Sequence, residues 1–185
     1  MFIQTETTPN PATLKFLPGR EVLGERTANF TAAEEAAVSP LAARLFELPD
    51  VTGVFLGQDF ITVTKADGDW QDLKPQILGE IMDHFMSGQP VLTGDLPDTD
   101  AAGGGADTED DAVISQIKEL LDTRVRPAVA QDGGDIIYDG FEGGVVYLHL
   151  QGSCAGCPSS TMTLKQGIEN LLKHFVPEVQ GVEAV

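Results

Sequence analysis

The sequence predicts an α+β protein: two small α/β-sandwich-type domains joined by a flexible acidic linker. Three observations carry that expectation. Runs of strand length alternate with longer stretches whose apolar residues recur every three or four positions. The length of 185 residues is more than one small domain needs, and the apolar content supports folded cores. Between Thr93 and Asp111 the composition then breaks sharply. Residues 95–111 hold Asp95, Asp98, Asp100, Asp107, Glu109, Asp110 and Asp111 without a Lys or Arg, around Pro97 and Gly103-Gly104-Gly105. Such a stretch is solvated rather than packed. The expected layout is a first domain over residues 1–92, a disordered linker over 93–110 and a second domain over 111–185.

In the first domain, Thr13-Leu14-Lys15-Phe16-Leu17 follows the turn-rich Pro9-Asn10-Pro11 and reads as a strand. Ser39 can cap a helix with Pro40 at its first position, where the missing N–H costs nothing. Val51 to Leu56 and Phe60 to Thr64 read as two strands joined across Gly57-Gln58-Asp59. Leu73, Ile77, Ile81 and Phe85 then mark an amphipathic helix that stops at Gly88. Trp70, the only tryptophan, is expected to pack rather than to anchor a ligand. His84 is expected on an exposed helix face, as is His174 in the second domain.

The second domain opens with a helix striped by Val113, Ile117, Leu120 and Leu121, capped by Asp110 or Asp111 and ended or kinked by Pro127. Asp132-Gly133-Gly134 reads as a turn. Strands over Asp135 to Phe141 and Val145 to Gln151 flank Glu142-Gly143-Gly144, and Val146, Leu148 and Leu150 alternate onto the core face. A last helix should bury Leu164, Ile168, Leu171 and Phe175, before a short strand within Val179 to Val185.

Charge and cysteine count restrict function. The net charge of −18 argues against a nucleic-acid binder and against docking on anionic lipid. No apolar run reaches membrane-spanning length, and the N-terminus lacks the marks of a signal or transit peptide. A bacterial cytoplasmic protein is expected, or a mitochondrial matrix protein if the chain is a processed eukaryotic one. The acidic linker lacks the spacing of a calcium loop.

Both cysteines lie in Gly152-Ser153-Cys154-Ala155-Gly156-Cys157-Pro158-Ser159-Ser160. Cys-x-x-Cys brings two sulfurs within reach of one metal or of each other. Pro158 suits the first turn of a helix, which puts Cys157 at its cap, where unsatisfied N–H groups and the helix dipole favour a thiolate. Four readings share that arrangement: an iron–sulfur cluster, a dithiol–disulfide couple, a structural zinc ion shared by two chains, and a buried, inert pair of cysteines. Thiolate-bound zinc and cubane clusters take four ligands, and one chain supplies two. A two-fold dimer with facing motifs would complete the set and leave an accessible, labile site. The residues alone leave zinc and redox together as strong as the cluster.

The run Val129-Ala130-Gln131-Asp132-Gly133-Gly134-Asp135-Ile136, followed by Leu148-His149-Leu150-Gln151-Gly152-Ser153-Cys154-Ala155-Gly156-Cys157-Pro158-Ser159-Ser160, resembles the NifU C-terminal-like domain of Nfu-type iron–sulfur cluster carriers. The opening from Phe2 to Gly19 resembles the Nfu N-terminal domain. The resemblance implies a binding and delivery protein rather than an enzyme. It would hold a [4Fe–4S] cluster through Cys154 and Cys157 of two subunits and pass it to apo-proteins, lipoyl synthase among the possible clients. An upstream donor is implied, and an N-terminal domain used for docking. Against the redox alternative, the residues between the cysteines are Ala-Gly rather than Gly-Pro, and the preceding hairpin is not a βαβ unit. Neither cysteine is expected to serve a core. His149, between Leu148 and Leu150, is expected on the opposite strand face rather than as a ligand. Lys165 lies too far along the last helix to touch a cluster. Asp132-Gly133-Gly134-Asp135 is expected to hold the cysteine loop.

Overall fold

The computed structural model describes residues 1–95, 110–155 and 158–185, with backbone alone at Asp110 and 158–160. It divides into two compact units, Met1–Pro97 and Asp98–Val185. Both mix helices with a sheet, as the sequence predicts. Most of the acidic segment lies outside the described residues.

The first unit is built on a five-stranded antiparallel sheet in the order β1-β2-β5-β4-β3. Its strands are β1 (Gln4–Thr7), β2 (Thr13–Leu17), β3 (Ala28–Phe30), β4 (Val51–Leu56) and β5 (Ile61–Lys65). One sheet face carries Leu14, Phe16, Val54, Leu56, Ile61 and Val63. They share a buried cluster with Leu41, Ala42 and Leu45 of α1 (Pro40–Phe46) and Leu73, Ile77 and Ile81 of α2 (Trp70–Ser87). Ser39 caps α1 as expected: its hydroxyl accepts from the Ala42 N–H at 3.2 Å and donates to the Val91 carbonyl at 2.6 Å. The segment beyond α2 stays attached to this unit, because the Thr93 N–H donates to the Val38 carbonyl at 2.8 Å. Gly88 ends α2 in the left-handed conformation. Trp70 packs against the core and donates its indole N–H to the Pro11 carbonyl at 3.1 Å.

His84 departs from expectation. It is fully buried, and neither ring nitrogen has a hydrogen-bond partner. The reason is the helix period. At about 100° per residue, His84 lies about 20° from Leu73 around the axis, while Phe85 has drifted about 120°. A strict four-residue repeat therefore named the wrong neighbour, and Phe85 is only partly buried.

The second unit has a three-stranded sheet in the order β6-β7-β8. It comprises β6 (Gly134–Glu142), antiparallel to β7 (Val145–Gly152), and β8 (Gly181–Ala184), parallel to β7. Gly143 and Gly144 both have positive φ, 58° and 82°, and form the tight turn between β6 and β7. The helical layer is α3 (Asp110–Leu120), a π-type turn over Leu121–Val125, α4 (Arg126–Gln131) and α5 (Pro158–Phe175). Asp110 and Asp111 fall within the first turn of α3 rather than before it. Pro127 neither ends nor simply kinks this helix. Proline cannot donate to a carbonyl one turn back, and the wider turn just ahead of it lets the chain continue.

The core joins Ile117, Leu121, Val125, Val129, Ile136, Val146, Leu148, Ile168, Leu172, Val176, Val179 and Val182. Phe175, expected inside, is 38% exposed and lies under the Arg124 guanidinium. It is the last residue of α5, where Val176 and Val179 of the following turn close the core instead. The strand before the cysteine motif, the helix after it and β8 form a β–α–β crossover. The hairpin that precedes the motif, β6 with β7, is antiparallel, as the sequence reading has it.

Candidate metal centre

The cysteine loop is anchored from several sides before it reaches α5. β7 delivers Gln151 and Gly152 opposite Asp135 and Gly134 of β6. Gly152, with φ of 66°, turns the chain out of the strand. The Ser153 N–H then donates to the Gly133 carbonyl at 3.2 Å, and its hydroxyl donates to the Asp132 carbonyl. The Ala155 N–H closes back on the Gly152 carbonyl at 3.2 Å. From α5, the Thr161 hydroxyl donates to the Cys154 carbonyl at 3.1 Å. The Asp-Gly-Gly turn thus grips the loop through its backbone carbonyls.

Cys154 is only 5% exposed and belongs to the buried cluster of this unit. Its sulfur rests on Gly134 so closely that a Cβ there would lie 2.6 Å from Sγ. The expectation of an accessible thiol that serves no core is therefore corrected at this position. The residue turns inward because Gly134, without a Cβ, leaves room at the start of β6 that the Cys154 side chain occupies. Cys157 and Gly156 lie outside the described residues. Pro158 opens α5, the position expected for it.

Sequence reasoning missed the ion pair beside this recess. Arg126 donates from Nε to Asp135 Oδ1 and from Nη2 to Oδ2, both at 2.9 Å. Asp135 Oδ1 also accepts from the Ile136 N–H at 2.8 Å, and Arg126 Nη1 reaches Asp122 at 3.2 Å. The Asp135 side chain is 6% exposed. The hydrogen bonds to Asp135 push the Arg126 pKa further up, against the opposing effect of burial, with Asp122 adding to them. Arg126 and Asp135 are nine positions apart across a helix end and a turn, a spacing with no local signature.

The other singled-out residues stay outside the centre. His149 is exposed on β7, and His174 is exposed near the end of α5. Lys165 pairs with Glu183 of β8 at 2.8 Å. Among the described residues, no three His, Cys, Asp or Glu side chains come together to hold a metal ion. No helix among them is long and apolar enough to cross a membrane. The second unit is thus a small α+β domain whose Cys-x-x-Cys motif falls in the sequence between a strand and a helix, and the chain has no other cysteine.

Comparison with known proteins narrows this class. Residues 3–88 match the family model "Scaffold protein Nfu/NifU N terminal", and residues 117–183 match "NifU-like domain". A human protein named NFU1 iron-sulfur cluster scaffold homolog, mitochondrial, is 55% identical over 187 residues. The alignment covers all of this chain and 72% of the human one. The protein of that name from Drosophila sechellia is 52% identical over 191 residues, covering all of this chain and 65% of that one. A solution structure of a NifU-like protein from Saccharomyces cerevisiae is 28% identical. It covers 51% of this chain and 87% of its own, with a TM-score of 0.47, too low to bear on the fold. The chain belongs to the Nfu family of iron–sulfur cluster scaffold proteins.

Proposed function

We propose that the protein carries a [4Fe–4S] cluster as cargo, bound by Cys154 and Cys157 of two subunits, and transfers it to apo-proteins. The observation that carries this reading is that a chain of the scaffold family has only two cysteines, both in one Cys-x-x-Cys. Two sulfurs are half of a cubane's usual ligand set, so a second copy supplies the rest. Thiolates of a client replace these ligands one at a time, and a client site that encloses the cluster holds it more tightly. Nucleotide hydrolysis is not required, and the chain has no Gly-x-x-x-x-Gly-Lys loop.

In this reading the first unit, which has no thiol, docks clients or the upstream donor, and the acidic segment is the tether that lets the cluster domain reach them. Lipoyl synthase-type proteins are candidate clients. The relatives' names place them in mitochondria, which favours the matrix over a bacterial cytoplasm.

Anaerobic reconstitution tests the proposal. It should give about four irons per dimer and a cubane Mössbauer spectrum. Cys154→Ala and Cys157→Ala should each abolish the cluster. A monomer that holds one zinc ion under the same conditions overturns the carrier reading. Reduction of an insulin-type disulfide at thioredoxin-like rates would favour the dithiol alternative.

A further inference from the structure

We infer that Arg126, acting through Asp135, is a positioning residue for the Cys154 sulfur. The inference rests on Cys154 being a cluster ligand, as proposed above. Asp135 immediately follows Gly134, the residue against which Sγ is seated, and lies opposite Gln151, whose carbonyl a Cβ at Gly134 would also approach, to 2.8 Å. The two parallel hydrogen bonds from Arg126 fix both oxygens of Asp135, and one of those oxygens holds the Ile136 N–H as well. Asp135 is thereby tied to Arg126 of α4, and Ile136 to the Asp135 side chain. At the other end of the same turn, the carbonyls of Asp132 and Gly133 grip Ser153, the residue before the cysteine. The guanidinium fork therefore locks one end of a clamp whose other end holds the thiol loop.

The chemistry of the pair favours this role over simple stabilisation. Asp135 is buried while Arg126 stays partly exposed, and a buried charge with its partner is often no more stabilising than apolar residues of the same volume. What a planar fork adds is direction, two bonds at a fixed angle and spacing. Direction matters beside a ligand whose sulfur must meet a cluster in one orientation.

The test uses the full-length apo protein, so its result is independent of cluster loading. Amide exchange is followed by NMR, and alkylation of Cys154 is timed in a Cys157→Ser background. Arg126→Lys keeps the charge and loses the fork; Arg126→Met with Asp135→Leu removes both charges of the pair together, and with them the bonds to Ile136 and Asp122. In the lysine variant, Ser153 amide exchange and Cys154 alkylation should accelerate several-fold. In the double variant they should accelerate at least about tenfold, the scale expected when charge-assisted bonds are lost from a local opening. Amides where β7 pairs with β8, around Val146 and Val182, should keep their wild-type exchange. Unchanged rates at Ser153 and Cys154 overturn the inference. So does an equal rise across β7 and β8, which would mark the pair as merely structural. Should the double variant fail to fold, the lysine variant decides alone by the same two criteria. Failure of the cluster reading itself would show separately, as missing iron in the wild-type protein.

Discussion

Replacing Gly134 by Ala tests how tightly the Cys154 sulfur is built into the fold. The new Cβ would lie 2.6 Å from Sγ, 2.8 Å from the Gln151 carbonyl oxygen and 3.2 Å from the Cys154 Cβ. Ordinary contacts between such atoms begin near about 3.5 Å, so the side chain has to retreat by roughly 1 Å. It has little room to do so, because Cys154 belongs to the same buried cluster as Ile136, Val129 and Ile168. The carbonyl is backbone of a paired strand and yields less still. Overpacking of this kind costs about 1–3 kcal/mol. Stiffening of the unfolded chain by Gly→Ala returns about 0.4–1 kcal/mol. The expected net loss is about 1–2 kcal/mol. For a domain of this size, with a slope near about 1 kcal/mol/M, the urea midpoint should fall by about 1–2 M. Far-UV circular dichroism reports the transition. Trp70 lies in the first unit, so its emission should show the first unit's own transition unmoved. Gly167→Ala is the control: nothing lies within 4 Å of its added Cβ, and it sits inside α5. It should raise stability by about 0.5–1 kcal/mol. A Gly134→Ala protein with the wild-type midpoint and full cluster uptake would refute the packing argument.

Other perturbations probe the rest of the molecule. Ser39→Ala removes the cap of α1 and strands the Val91 carbonyl, and should cost the first unit about 1–2 kcal/mol, read from the midpoint of Trp70 emission on denaturation. Burial, then the Arg44 charge, holds the His84 pKa below the ordinary 6.5. The unfolded chain therefore takes up the proton first, and first-unit stability falls as pH drops through about 6.5 towards the lower folded value, then levels off. His84→Phe should flatten this dependence between about pH 7.5 and about pH 5; equal slopes in both proteins would count against it. Lys165 and Glu183 form a solvent-exposed pair, so Lys165→Ala should shift the denaturation midpoint by no more than the equivalent of about 0.5 kcal/mol.

How far each feature was legible follows from the range of the forces that set it. Ser39-Pro40, the stop at Gly88 and the ends of β2 and β4 depend on neighbouring residues, and the sequence reading places them to within a residue. β1 and β3 were missed because they are edge strands of four and three residues, made extended by pairing with β2 and β4 rather than by composition. His84 was misplaced because a four-residue repeat runs ahead of a helix with 3.6 residues per turn. At the candidate site, the turn Asp132-Gly133-Gly134 and its hold on the loop were readable from residue type. The burial of Cys154 was not, since a Cys-x-x-Cys motif specifies which sulfurs can act together and not which of them the fold encloses. Arg126 was invisible for the same reason: its partner is chosen by the path of the chain from α4 into β6.

The enclosure of Cys154 bears on how a half-site can work. A ligand on a free loop loses its conformational freedom when the metal arrives, and affinity falls accordingly. Here the backbone around residues 153 and 154 is held by Asp132, Gly133 and Thr161, and the sulfur is seated on Gly134, all within one chain. If Cys154 serves as a ligand in the way proposed, folding orders its backbone and sulfur before a second subunit joins. Under the proposed role, the donor set divides into a sulfur fixed by the fold and a set completed only by association of two chains. Release would then be governed by the association rather than by the fixed sulfur. A carrier built in this way can hold its cargo in a defined geometry and still surrender it as client thiolates replace its ligands one at a time.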